Sequence, residues 1–264
     1  MDHLRTELAP ISTAAWAEIN AEATRVLKQR LAARRLIDFT GHDDWSFSSV
    51  PRGRVGTVQT GDVTVSTREV IRVVELRVDF TMSRSEIDAV DRGASDFDTA
   101  AVIAAAVAAA KAEDSLVFDG NEGAGIVGIA SCSSHPAVDL GAGLISAVAE
   151  AVEVLRSASV AGPHALAVGD DVWVDLVAGS DRGYPVMSHL DLLIDGPVVW
   201  APSMTGALLV SQRGGDFAIE SGQDWSIGYD SHSSEEVRLY LQESATVVVN
   251  TPEAAVRITG SADR

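Results

Sequence analysis

Eleven consecutive apolar residues run from Ala100 to Ala110, and eight of them are alanine. No other stretch narrows the fold as much. Alanine is the strongest helix former and leaves little side chain to hold neighbours apart, so the run predicts a helix that other elements approach closely. At about 1.5 Å per residue it falls far short of a hydrocarbon core about 30 Å thick, which excludes a membrane span. Asp96 and Asp98 precede it and the pattern continues to Phe118. A long central helix is expected over about 96–118.

The chain around this helix has 264 residues, 46% of them hydrophobic, enough for one large domain or two interleaved ones. Its 38 acidic residues outnumber 20 basic ones, for a formal charge of −18. Phosphate backbones and anionic membranes are poor partners for such a chain, because binding to them depends on Lys and Arg. Cys132 is the single cysteine and cannot form an internal disulfide. The opening Met-Asp-His-Leu-Arg-Thr-Glu lacks a signal-peptide pattern, and a cytoplasmic location is expected. Mean hydropathy is nevertheless positive, at +0.13. A core explains part of that apolar content, and extensive subunit interfaces would explain the rest.

Ser12 or Thr13 can cap an amphipathic helix carrying Trp16, Ile19, Ala23, Val26, Leu27 and Leu31 on one face. Its basic end, Lys28 to Arg35, suits the helix dipole. From Arg52 to Met82 the pattern alternates through Val, Thr and Gly about a turn at Thr60-Gly61-Asp62, which reads as a hairpin with little to bury. It is expected to project as an arm. A strand over Ile71–Phe80 returns to the core. Further along, a helix at Leu144–Leu155, strands at Ala165–Val168, Val198–Trp200 and Ala207–Val210, and a strand-rich stretch at Phe217–Val249 give an α+β pattern.

Searching for chemistry yields little. Gly123-Ala-Gly125-Ile-Val-Gly128 has the spacing of a dinucleotide-binding loop, but it leaves a helix where such a loop must follow a strand and open a helix. A glycine-rich turn is expected instead. Cys132 and His135 have no neighbouring base or electropositive site to activate a thiol. Asp170-Asp171 reads as a helix cap followed by a first-turn acid. The six histidines are scattered without metal-ligand spacing, and the common hydrolase, zinc and nucleotide signatures are absent. An assembly or binding protein is the expected class, with no catalytic residues and no metal.

One set of segments points further. Glu7-Leu-Ala-Pro-Ile-Ser-Thr-Ala-Ala-Trp-Ala-Glu-Ile19 resembles the opening of encapsulin shell proteins, the linocin-type bacteriocin family. Arg213-Gly-Gly-Asp-Phe217, Gly222-Gln-Asp-Trp-Ser-Ile-Gly-Tyr229 and Val237-Arg-Leu-Tyr-Leu-Gln-Glu243 resemble its later segments, in order. Glu75-Leu-Arg-Val-Asp-Phe-Thr81, Arg92-Gly93 and Gly183-Tyr-Pro185 extend the likeness over nearly the whole chain. The resemblance implies an α+β tailed-phage major-capsid fold of the Hong Kong phage type. It divides the chain into an N-terminal helix and the start of a peripheral domain (1–47), an extended arm (48–76), peripheral domain with spine helix (77–129), an inserted axial domain (130–215) and a peripheral return (216–264).

What the resemblance implies about function is a non-enzymatic container. Roughly 60 copies close into an icosahedral shell in the cytoplasm, enclosing a cargo enzyme such as a dye-decolourising peroxidase or a ferritin-like protein. A C-terminal targeting peptide of the cargo docks inside, which by resemblance assigns Leu27, Leu31, Arg34 and Asp38 on the helix and Ile227 and Tyr229 on the sheet. The alternative for these six is ordinary helix-to-sheet packing, with Arg34 and Asp38 pairing within the subunit. Ser180, Asp181, Arg182, Gly183 and Tyr184 fall where the family forms a fivefold pore, or else make a solvated turn. Some members hold a flavin through a tryptophan beyond the Phe80-Thr81 strand; Arg84-Ser85-Glu86 stands there, and no cofactor is expected. Competing readings are a phage major capsid protein, disfavoured by the charge, and an enzyme using the glycine-rich turn.

Overall fold

The structure, a computed structural model, describes residues 3–60, 62–181 and 183–260. A 3-10 turn, Thr6–Leu8, leads into helix α1 (Thr13–Arg30). Ser12 is its cap, its Oγ accepting from the Ala15 N–H at 3.2 Å. Ala15, Ile19, Ala23, Val26 and Leu27 form the buried face, at the spacing the sequence predicts. A second 3-10 turn, Ala33–Arg35, connects to β1 (Asp38–Gly41).

Strands β2 (Ser49–Thr60) and β3 (Val63–Arg72) form a two-stranded hairpin whose described strands pair with each other alone. Gly61, in the expected turn, lies outside the described residues. The hairpin buries almost nothing: Val55, Val63, Val65 and Val70 are 58%, 64%, 47% and 46% exposed. In β4 (Val74–Ser83) the alternation turns Phe80 and Met82 inward. Helix α2 (Arg84–Asp91) follows, then α3 (Ala100–Phe118).

The alanine-rich run is this α3. It starts after the two aspartates, because Asp98 Oδ1 accepts from the Ala100 N–H at 2.9 Å and so caps the helix from outside it. Ala105, Ala106, Ala109 and Ala110 are buried against α1 and β4, where the missing side-chain bulk permits close approach. Strands β5 (Gly120–Asn121) and β6 (Ile126–Val127) then make the expected turn, with Gly125 at φ +72°. Gly120 and Gly128 lie so close that a Cβ on either would strike the other's backbone nitrogen. These glycines serve a tight turn and open no helix.

The remaining elements are β7 (Val138–Asp139), α4 (Leu144–Ser157), β8 (His164–Val168), α5 (Asp170–Ala178), β9 (Ser180–Asp181), β10 (Tyr184–Pro185), α6 (Val186–Leu190), β11 (Val198–Trp200), β12 (Ala207–Ser211), β13 (Phe217–His232), β14 (Glu236–Val249) and β15 (Ala255–Thr259). The α5 cap differs from expectation. Gly169 is the cap and both aspartates lie in the first turn, Asp170 accepting from Trp200 Nε1 and Asp171 from the Gly206 N–H. Partners 30 and 35 residues further along the chain have drawn both carboxylates away from the cap.

Two sheets organise these strands. The first runs β1-β13-β14-β4, the second β11-β8-β12-β15-β7. The closing segment divides between them: β13 and β14 build the first sheet, whereas β15 pairs with β12 and β7 in the second. Ala255, Val256 and Ile258 are fully buried there, so the strand sits in the interior of the second sheet. One core lies between α1, α3 and the first sheet, containing Ile19, Phe80, Val102, Ile227 and Leu239. The other fills the second sheet and α4, and reaches Ala245 and Val247 at the far end of β14.

Candidate functional site

Four of the six residues assigned by resemblance to peptide docking meet at one place. Leu27, Leu31, Ile227 and Tyr229 belong to the core between α1 and the first sheet, each less than a tenth exposed. They join helix to sheet within the subunit. Asp38 remains exposed, and its Oδ2 accepts from the Gly215 N–H at 2.7 Å. Arg34 and Asp38 both line a polar cavity of about 290 Å³ beside Gln212 and Phe217.

Arg34 has the densest set of partners in that group. Its guanidinium forks onto Glu113 at 2.8 and 2.7 Å, reaches Glu243 at 2.9 Å and Asp224 at 2.7 Å, and lies 4.3 Å from the Phe39 ring centre. Trp225 Nε1 donates to the same Glu113 carboxylate at 2.7 Å. The side chains of Glu113 and Glu243 are essentially inaccessible. Next to them, Asp114 accepts the N–H groups of Ala32 and Ala33, tying the end of α1 to the spine. Burial pushes Asp114 up to about 7 despite those two donors. Burial, and then the charge of Glu113, raise Glu243 well above the usual carboxylate range, with Arg34 opposing. Burial alone would lower Arg34, but its hydrogen bonds to Glu113 and Asp224 outweigh this and hold it firmly charged. Two buried carboxylates, Glu113 and Glu243, and the exposed Asp224 thus share one cation.

The open part of this interface lies about two to three turns nearer the start of α1. A groove of about 570 Å³ runs between Trp16 and Asn20 on the helix and Trp225, Ser226 and Ile227 on β13, with Leu4, Ala9 and Ile11 along its rim. Of the six assigned residues, Ile227 alone lines it. Nothing in the sequence sets this depth: Trp16 belongs to the same α1 stripe as Leu27, and Asn20 is an exposed polar residue one turn beyond Trp16.

The other assigned site is a tight hairpin. Ser180 pairs with Pro185 and Asp181 with Tyr184, around Gly183 at φ +86°. Arg182 lies outside the described residues. Ser180 and Asp181 are exposed, and Tyr184, 66% exposed, meets the His189 ring edge-on with centroids 6.1 Å apart. Among the described residues no group of three or more His, Cys, Asp or Glu could hold a metal. Burial raises the Cys132 thiol, which leans on the Ile129 carbonyl at 3.4 Å.

A family model described as "Encapsulating protein for peroxidase" matches residues 1–246. The type 1 encapsulin shell protein of Rhodospirillum rubrum is 45% identical, over 98% of this chain and 97% of its own. The chain belongs to the encapsulin shell-protein family. The type 1 encapsulin shell protein of Mycobacterium tuberculosis is 41% identical over 98% of this chain and 99% of its own. Among solved structures, a virus-like particle from Pyrococcus furiosus is similar, with TM-score 0.64 and 16% identity over 91% of this chain and 98% of that one. The capsid of Myoviridae phage XM1 gives TM-score 0.58 and 13% identity, covering 88% and 92%. This encapsulin-family chain therefore has the phage-type capsid fold in α+β form, and it is a shell-forming protein. No described helix is long and apolar enough to cross a membrane.

Proposed function

We propose that the chain closes into an icosahedral shell of roughly 60 copies in the cytoplasm, enclosing a cargo enzyme through that enzyme's terminal peptide. The observation that carries this reading is the β2–β3 hairpin, whose valines are about half exposed in a chain of capsid fold. A ribbon of two strands is marginal alone in water and gains stability by lying on another subunit. Electron microscopy of the purified protein tests it: uniform hollow particles are expected, and a small soluble oligomer would refute it.

The peptide docks between α1 and β13, in the groove of Trp16, Asn20, Trp225 and Ile227. Apolar walls beside an open strand edge suit an extended aliphatic segment. Leu27, Leu31 and Tyr229 support the groove from beneath, while Arg34 and Asp38 fix its far end. The cargo class the family description suggests is a peroxidase; the shell itself contributes no catalyst. Ser180, Asp181, Gly183 and Tyr184 line the opening on the fivefold axis, where the opposite charges that the sequence holds at Asp181 and Arg182 set the field met by small substrates. Exchanging those two charges is expected to change how cargo turns over anionic against cationic substrates.

A further inference from the structure

Strand β13 pairs with β14 from Phe217 to His232 on one side, with three register shifts, and its other side is covered only in part. Along that second edge β1 pairs as far as Ser221, and the residues after it continue the contact, His42 N–H donating to Ser221 and Asp44 N–H to Gly222. From Gln223 to His232 no described strand pairs with this edge. What lies there is the start of the chain. The Tyr229 N–H donates to the Leu4 carbonyl at 2.8 Å, and the His3 ring stacks on Trp45 with centroids 4.0 Å apart and planes 13° from parallel.

This opening segment is seated on the edge but hardly buried. No residue of its 3-10 turn is buried, and Leu8 is 59% exposed. Arg5 holds φ +54°, a left-handed conformation that is strained for a residue with a side chain. Leu4, Ala9 and Ile11 also form the rim of the groove. The Leu4 carbonyl and the aliphatic side chains of Leu4, Ala9 and Ile11 occupy, from a turn, positions that the carbonyl and side chains of a docking peptide would take on the same edge.

We propose that residues 3–9 form a displaceable strap on the β13 edge, competing there with the cargo's terminal peptide, which docks by adding as a strand along Trp225–Tyr229. The proposal rests on the docking reading above and adds its regulation. Loading then depends on the fraction of time the strap is off, since a site open part of the time loses affinity in proportion.

The test uses assembled shells and a fluorescein-labelled peptide copying residues 3–9. Shells lacking residues 3–9 are expected to bind the peptide and to co-purify with several-fold more cargo per shell; intact shells exclude the peptide. His3→Ala, which keeps the whole chain and removes the stack on Trp45, is expected to raise loading in the same direction. Deleted shells that ignore the peptide, or that lose cargo, would overturn the strap. The groove itself is tested by Trp16→Arg. Normal loading of that variant removes the docking reading and the competition with it. Empty Trp16→Arg shells, beside unchanged loading on strap deletion and in His3→Ala, leave docking standing and remove the strap alone.

Discussion

The spine helix α3 and the β2–β3 arm are opposite solutions within one chain. Ala105, Ala106, Ala109 and Ala110 of the spine are at most 4% exposed, while the four arm valines are 46% to 64% exposed. The spine even takes Glu113 and Asp114 inside and satisfies them with Arg34 and with the N–H groups of Ala32 and Ala33. The arm, rich in Val and Thr, leaves that content in solvent. A subunit is therefore defined by its spine, and in the assembly proposed above its arm is completed by another copy. Substitutions in the spine should change subunit stability first, and substitutions in the arm should change assembly first.

The largest effect is expected at Arg34→Ala. It strands the buried Glu113 and Glu243 without their cation, a kind of loss worth about 3–5 kcal/mol. Denaturant unfolding of the dissociated subunit measures it, and a change below about 1 kcal/mol would mean that the cluster does not hold α1 to the spine. Ala106→Leu comes next, overpacking the closest part of the spine at a cost of about 1–3 kcal/mol. A pH-dependent effect follows from Asp114. Its carboxyl titrates near 7 when folded and near 3.8 in its ordinary state, so the folded chain retains the proton longer. That contribution is fully present below about pH 4 and is lost as pH rises through about 7. Unfolding midpoints from pH 4 to 8 should accordingly fall more steeply in the natural chain than in Asp114→Asn; parallel curves would remove Asp114 as the cause. The smallest effect on the subunit is expected in the arm. Val63→Ser with Val65→Ser should leave its stability within about 0.5 kcal/mol, yet reduce the yield of closed particles in sedimentation.

The sequence makes the local half of this contrast legible. The Ala100–Ala110 run, the Ser12 cap, the alternating arm and the glycine turn after the spine each depend on neighbours within a few residues, where periodicity and turn chemistry act directly. Long-range partners are another matter. Arg34 meets Glu113 from 79 positions away and Glu243 from 209, so an acid near the end of an apolar helix and another in a strand show nothing of their shared cation. The same distance conceals β15. Its short apolar run fits either sheet, and pairing with β12 and β7 decides between them. At the groove, the amphipathic stripe of α1 identifies the correct face but gives no depth along it. Leu27 and Leu31 are consequently core, while the open space lies beside Trp16 and Asn20.

The contrast between spine and arm is tested most directly by imaging the assembled particle at a resolution that traces the arm. The account predicts closed hollow shells in which Val63 and Val65 of each arm are covered by a neighbouring subunit. Arms standing free in solvent around a small oligomer would contradict it.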